Sequence, residues 1–281
     1  GRTGDRRRGA RLTGVSSTVP ATDAGSAAGA AGDADPWRDV VGQEAAVRQL
    51  AAAARDPVHA YLLVGPSGSG KVALARGFAA AVLAADADDP VERERHVRLA
   101  LAGQHPDLRT VEPEGNTFRK SDAERVVRAA TLAPIEGRRK VVVADGCQDM
   151  EDEAAGYLLK TVEEPPASTV FVLLATELVP ELVTIASRCV RIELAPLPTE
   201  LVAERLVAEG VDPDRAATAA AAAGGDLDRA RTLATDERLA LRHAAWREVP
   251  YRLDGTGHTA ATVVAELQSM IGEALGPLQQ R

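Results

Sequence analysis

The segment that most restricts what this chain can fold into is HAYLLVGPSGSGKVALARGFAAAVLAA, which begins at His59. A short apolar run, Ala60 to Val64, stops at a glycine, and a strongly helix-forming run follows. The turn between them, Gly65 to Val72, reads GPSGSGKV. It fits G-x-x-x-x-G-K-[ST] everywhere except the last position, where Val72 replaces a hydroxyl. In such a turn Gly65, Gly68 and Gly70 let successive backbone N–H groups converge on a phosphate, with Pro66, Ser67 and Ser69 completing the loop. The helix that follows adds the positive end of its dipole, and Lys71 reaches the outer phosphates. Val72 offers no oxygen, whereas Mg²⁺ demands oxygens in near-octahedral geometry. The unit predicts an α/β fold with a phosphate-binding edge and a spoiled metal position.

The rest of the chain keeps the alternation. Residues 108–111, 140–146, 168–176 and 189–194 read as further strands. Helices are expected over 43–55, 72–85, 90–102, 121–132, 152–164 and 179–186. Ser121 with Glu124 three residues later has capping-box spacing, and Pro165 with Pro166 stops the helix before them. Strands alternating with helices predict a five-stranded parallel sheet with crossover connections. After Pro198 the strands cease, and 199–209, 212–223, 226–234, 237–247 and 259–275 read as helices. Residues 1–35 carry Gly, Ala, Ser and Thr with almost no large apolar side chains, a composition that predicts a disordered tail.

Composition narrows the function. Of 281 residues 45% are apolar but only 3% aromatic, so the core must be built from Ala, Val and Leu. The bases are 29 Arg and 4 Lys, so any single arginine carries little weight. Net charge is −8; the first 35 residues hold five Arg and four Asp, or +1, which leaves −9 for the remainder. A free-standing nucleic-acid binder carries a basic excess, so the chain is not expected to hold DNA alone. Arg6, Arg7 and Arg8 are read as part of a solvated tail. Cys147 and Cys189 lie far apart with no CxxC, which argues against a cysteine-rich zinc site and a disulfide scaffold and fits a cytoplasmic setting. No apolar run reaches the roughly 18 residues of a membrane span, and no signal-peptide core follows the first arginines. The chain starts at Gly1 rather than Met and reads as a fragment.

A second departure matches the first. In KVVVADGCQDM, Asp145 ends the strand at the edge where α/β sheets bind ligands, placed to hold Mg²⁺ through water. The next residue is Gly146, which has no side chain to polarise an attacking water. The metal hydroxyl and the catalytic carboxylate are therefore both missing, which points to an inactive hydrolysis site.

Taken in order, VVGQ (40–43), HAYLLVGPSGSGK (59–71), HPDLRTVEPEG (105–115), KVVVADGCQDM (140–150), LLKTVEEPP (158–166) and SRC (187–189) resemble the clamp-loader subunits of the AAA+ ATPases. The delta-prime type of bacterial DNA polymerase III is the nearest likeness. The resemblance covers about 36–195 and weakens through 235. It implies that Arg188 reaches across an interface as an arginine finger to ATP held by a neighbouring subunit, where a guanidinium neutralises γ-phosphate charge. It places Thr176 at a sensor-1-like strand end. It sets Lys160 on a helix bordering a central DNA chamber, where it could contact a phosphate; a solvated helix end is the other reading. Many family members bind zinc through four cysteines before the HPD segment. This chain has none there, and His96 with His105 alone make no four-ligand site, so neither zinc nor any other metal is expected. At a second-sensor position the chain has Leu227 in place of arginine, with Arg229 nearby.

These readings predict four segments: a tail at 1–35, an AAA+ P-loop domain at 36–197, a three-helix lid at 198–238, and the start of a helical collar at 239–281. The expected role is that of a delta-prime-like subunit. With delta and gamma/tau subunits it would load the β sliding clamp onto primed DNA. The chain would hydrolyse no ATP itself, while leaving room for ATP or ADP bound without turnover. The competing expectation is an ATP-hydrolysing gamma/tau-like motor; a small-molecule P-loop kinase lacks any acceptor-site signature.

Overall fold

A computed structural model of the chain describes residues 35–235 and 239–275. Apart from Asp35, the expected tail lies outside the described residues. Five strands form one parallel sheet: β1 (Ala60–Val64), β2 (Leu108–Val111), β3 (Lys140–Ala144), β4 (Thr169–Ala175) and β5 (Val190–Glu193), in the order β2-β3-β4-β1-β5. The chain leaves β1 for the far edge, returns through β3 and β4, and then crosses to the other side of β1. β1 thus lies where the strand order switches, the position at which open α/β sheets bind ligands.

The central strands β3, β4 and β1 are buried along almost their whole length, while the edge strands β2 and β5 expose Arg109, Thr110, Val190, Arg191 and Glu193; the two-residue strand period divides the buried side chains between two cores. Tyr61, Leu63, Val141, Val143, Val172 and Leu174 face one core, shared with α1 (Glu44–Ala53), α2 (Lys71–Leu83) and α3 (Pro90–Leu101). Leu62, Val142, Ala144, Phe171, Leu173 and Ala175 face the other, shared with α4 (Lys120–Thr131), α5 (Asp152–Glu163) and α6 (Pro180–Ala186). The scarcity of aromatics shows in the first core, where alanines of α2 let the helix approach the sheet closely and Tyr61 meets Phe78 edge-on at 4.6 Å.

Local details refine the sequence reading. α4 begins one residue before Ser121, and its start is closed by Asp122, whose carboxylate accepts from the Arg119 N–H at 2.8 Å. Glu124 takes no part, because the first turn lies one residue earlier than the expected cap. The buried Lys140 ammonium donates to the carbonyls of Ala129 and Leu132 at the end of the same helix, a cation in the favourable half of the helix dipole. The helix expected over 237–247 is α10 (Leu239–Arg252), which runs on through Pro250.

Beyond the sheet, α7 (Thr199–Ala208), α8 (Pro213–Ala223) and α9 (Leu227–Thr235) enclose a small core of Val202, Leu206 and a row of alanines, against which Val41 packs. α10 packs on α11 (Gly257–Leu275), with Arg252 paired to Glu266 at 2.6 Å.

Candidate functional site

The register of β4-β1-β5 brings three strand ends level: Val64 lies beside Ala175 and beside Glu193. The residues that follow are therefore gathered at one edge. There a cavity of about 460 Å³ opens, lined by Ser67, Gly68, Gly70, Lys71, Val72, Asp145 and Thr176 among others. Two backbone hydrogen bonds tie this edge together, Gly65 N–H to Ala175 O at 3.1 Å and Leu194 N–H to Val64 O at 2.8 Å. Gln43 from the VVGQ segment donates through Nε2 to Ser69 O at 3.0 Å and Ala195 O at 2.8 Å. That side chain clamps the loop to the exit of β5.

Lys71 opens α2 and is 8% exposed. Its ammonium donates to the loop's own carbonyls, Gly65 O at 2.6 Å and Pro66 O at 2.8 Å. Burial pulls it below its ordinary value, opposed by the carboxylates of Asp145 and Asp226. Ser69 Oγ is buried with no hydrogen-bond partner among the described residues. A phosphate fits these groups, since it would supply the acceptors that the Ser69 hydroxyl lacks and that Lys71 now finds only in the loop. Mg²⁺ does not fit. Val72 lines the cavity at the metal-ligand position with a hydrocarbon side chain, and a cation of this kind needs oxygens.

Gly146 is fixed by its backbone as well as its chemistry. Its φ is +76°, and an added Cβ would come within 3.2 Å of Pro113. An acidic residue there would adopt a left-handed conformation that only glycine takes without cost, so the missing water-polarising group is not one exchange away. Asp145 folds back, accepting from the Gly146 N–H at 2.7 Å. Thr176 donates its N–H to Gln148 Oε1 at 3.1 Å.

The helices after the sheet close directly on the loop. Leu227 N–H donates to Gly68 O at 3.3 Å. Asp226 lies against the Cα of Gly68, so that a Cβ there would fall 1.9 Å from Asp226 Oδ1. The same carboxylate starts α9 by accepting from the Arg229 N–H at 2.8 Å. Leu227 lines the cavity, as does Arg231, while Arg229 is not among the lining residues. One helical turn, i to i+4, separates Leu227 from Arg231 and puts both on one face, a spacing that could have pointed to it. Arg231 is already satisfied by Glu209 at 2.6 Å and Asp228 at 2.9 Å. These arginine contacts hold the Glu209 carboxyl down at about 2, the Arg231 hydrogen bond contributing most.

Arg188 lies apart from the cavity, just past the end of α6, on the surface. Lys160 is exposed on α5. Burial pushes the thiols of Cys147 and Cys189 up to about 12, which disfavours the reactive thiolate.

His96 and His105, far from the cavity in sequence role, meet with a third group the sequence did not suggest, Glu136. His105 Nδ1 accepts from the Asp107 N–H at 3.0 Å, so its proton is on Nε2, which donates to His96 Nδ1 at 2.7 Å. A metal on His105 Nε2 would move that proton to Nδ1, opposite another donor. The Glu136 carboxylate is taken up by Arg95 through both oxygens, at 2.8 and 2.9 Å. The cluster is therefore built for hydrogen bonds and does not fit the family's zinc.

One family match and three relatives bear on identity. A family model described as "DNA polymerase III, delta subunit" matches residues 42–198, more than half of the chain. DNA polymerase III subunit delta' of Bacillus subtilis is 31% identical over 159 residues, 56% of this chain and 48% of that one. The delta' subunit of Pseudomonas aeruginosa is 36% identical over 177 residues, 59% and 50% of the two chains. DNA polymerase III subunit tau of Bacillus subtilis is 32% identical over 175 residues, 60% of this chain and 31% of that one. The chain spans about half the length of the delta' relatives it matches. The chain belongs to the DNA polymerase III, delta subunit family, within which it is delta'-like.

Proposed function

We propose that the chain is the delta'-type subunit of a clamp loader that, with delta and gamma/tau subunits, loads the β sliding clamp onto primed DNA during replication in the cytoplasm. Residues 36–197 serve as its AAA+ domain, 198–238 as a lid and 239–281 as the start of a collar. It hydrolyses no ATP. It keeps a cavity that can take ATP or ADP, and it offers Arg188 to nucleotide bound by a neighbouring subunit. Lys160 is a candidate contact to a DNA phosphate.

The observation that carries this reading is the contrast between the two phosphate-facing features. Val72 and Gly146 deprive the chain's own cavity of a metal ligand and a water-polarising acid, while Arg188 stands on the surface with a side chain 37% exposed. A guanidinium that stabilises transferred phosphoryl charge must reach outward to act on a neighbour. The comparable identity to a tau subunit supports a second reading, an ATP-hydrolysing motor.

One set of measurements separates the two. The purified chain with Mg·ATP should turn over no ATP above background; turnover that disappears in Lys71→Ala makes it a motor. In the assembled complex Arg188→Ala should leave assembly intact and slow ATP hydrolysis. An arginine finger is worth about 10³-fold or more at its own site, diluted in the bulk rate by sites it does not serve. An unchanged rate removes the finger.

A further inference from the structure

Arg188 is exposed, yet its side chain is held at three points. Nη1 donates to Thr184 O at 2.9 Å and to Ser187 Oγ at 3.0 Å. Nη2 lies 2.7 Å from Glu163 Oε1. Thr184 and Ser187 are local, but Glu163 comes from a different element: it is the last residue of α5, in the LLKTVEEPP segment. Pro165 and Pro166 follow, and the α region is disfavoured for the residue before a proline. The helix therefore ends at Glu163, which puts that side chain at the rim beside the end of α6.

The placement of Glu163 does not serve α5. A carboxylate in the last turn meets the negative end of the helix dipole. Nor does the pair serve the stability of the fold, because both side chains are about two-fifths exposed (37% and 42%) and exposed ion pairs contribute little. What the pair does is orient. A free arginine loses much rotamer freedom when it docks. Here three contacts have already removed it. A guanidinium has five N–H donors, so one on Nε and one on Nη2 remain without a partner among the described residues, enough for a two-point grip on a phosphate.

We infer that Glu163 is a positioning residue for Arg188: its carboxylate, with the Thr184 carbonyl, holds the guanidinium ready for a phosphate presented by a neighbouring subunit. The inference rests on the finger reading of Arg188. Glu163 touches no nucleotide. It binds the guanidinium through a single oxygen, so carboxylate and phosphate can share the group. Preorganisation of this kind acts on the rate at saturation, because the arginine is needed where charge develops.

The test uses the assembled complex, with kcat and KM for ATP measured separately. Arg188→Ala comes first; if it leaves the rate unchanged, the finger reading falls and this inference with it. Given a slow Arg188→Ala complex, Glu163→Ala should lower kcat at the served site about 3- to 10-fold with KM nearly unchanged. Glu163→Gln, which keeps an acceptor, should recover most of that loss. In an Arg188→Ala background, Glu163→Ala should cost nothing more. An unchanged or raised kcat in Glu163→Ala beside a slow Arg188→Ala overturns the inference alone, a raised rate meaning that Glu163 restrains the finger. A second measurement needs no partners: in the full chain, side-chain ¹⁵N spectra should show slowed rotation of the Arg188 guanidinium, lost in Glu163→Ala. Free averaging in the unsubstituted chain overturns the proposal.

Discussion

The GPSGSGKV cavity and the Arg188 surface both face phosphates in the proposed assembly, and they are held in opposite ways. Around the cavity the fastenings are buried and cross between distant segments: Gln43 to Ser69 and Ala195, and Leu227 to Gly68. Around Arg188 they are exposed, and Glu163 supplies the only non-local one described above. Neither Val72 nor Gly146 takes part in those fastenings. The loop still has a structural task as the surface on which the helices after the sheet close. Arg188 has no such task, since its contacts are exposed and exposed ion pairs contribute little to stability.

The sharpest way to break that comparison is Gly68→Ala. The position has φ +65°, and the new methyl would fall 1.9 Å from Asp226 Oδ1 and 2.5 Å from Asp226 Cα. Strain and overpacking should cost about 2–4 kcal/mol in denaturant unfolding, against no more than about 0.5 kcal/mol for Arg188→Ala. Equal losses would erase the distinction. Asp226→Ala removes the carboxylate that starts α9 and should cost about 1 kcal/mol, read in the same unfolding series. A loss confined to the α/β part with the α7–α9 cluster untouched would contradict the docking role.

The smallest expected effect is one of pH, and it probes the buried pair on the other side of the α/β domain. Burial, with His96 second, holds His105 below its ordinary 6.5. The unfolded chain therefore takes up a proton first as pH falls below 6.5 and draws the equilibrium toward unfolding. Above 6.5 both states are neutral and the group has no effect. Melting temperature should fall on acidification below 6.5, and less steeply in His105→Asn, which keeps an acceptor for the Asp107 N–H. Glu209 runs in a separate window. Its depressed carboxyl contributes stability above 4.5 that is lost as pH falls toward 2, so the two slopes are distinguishable.

Much of this was readable in the chain. Continuous apolar runs marked the central strands β1, β3 and β4, because a parallel sheet covered on both faces needs no polar alternation; the edge strands LRTV and VRIE carry polar residues. The glycine turn, Val72 and Gly146 located the cavity and its defects. Helix ends were less legible: Ser121 has the right spacing for a cap, but Asp122 does the closing, since cap choice depends on where the preceding strand-to-helix loop delivers the chain. Arg231, which the sequence reading did not single out, shares the face of Leu227 because one helical turn separates them. Glu136 joined His96 and His105 from a loop about thirty residues away, and nothing local announces such a meeting.

What the sequence determined by itself is therefore everything that depends on local period and residue type: strand, turn and helix order, the phosphate loop, and the missing oxygen ligands. Only the tertiary structure decided which distant groups share a surface. The seating of Asp226 on Gly68, the locking of Arg231 by Glu209, and the pairing of Glu163 with Arg188 each join elements whose separation along the chain carries no signal, because their contact is set by how helices pack on a sheet and not by any pattern within them.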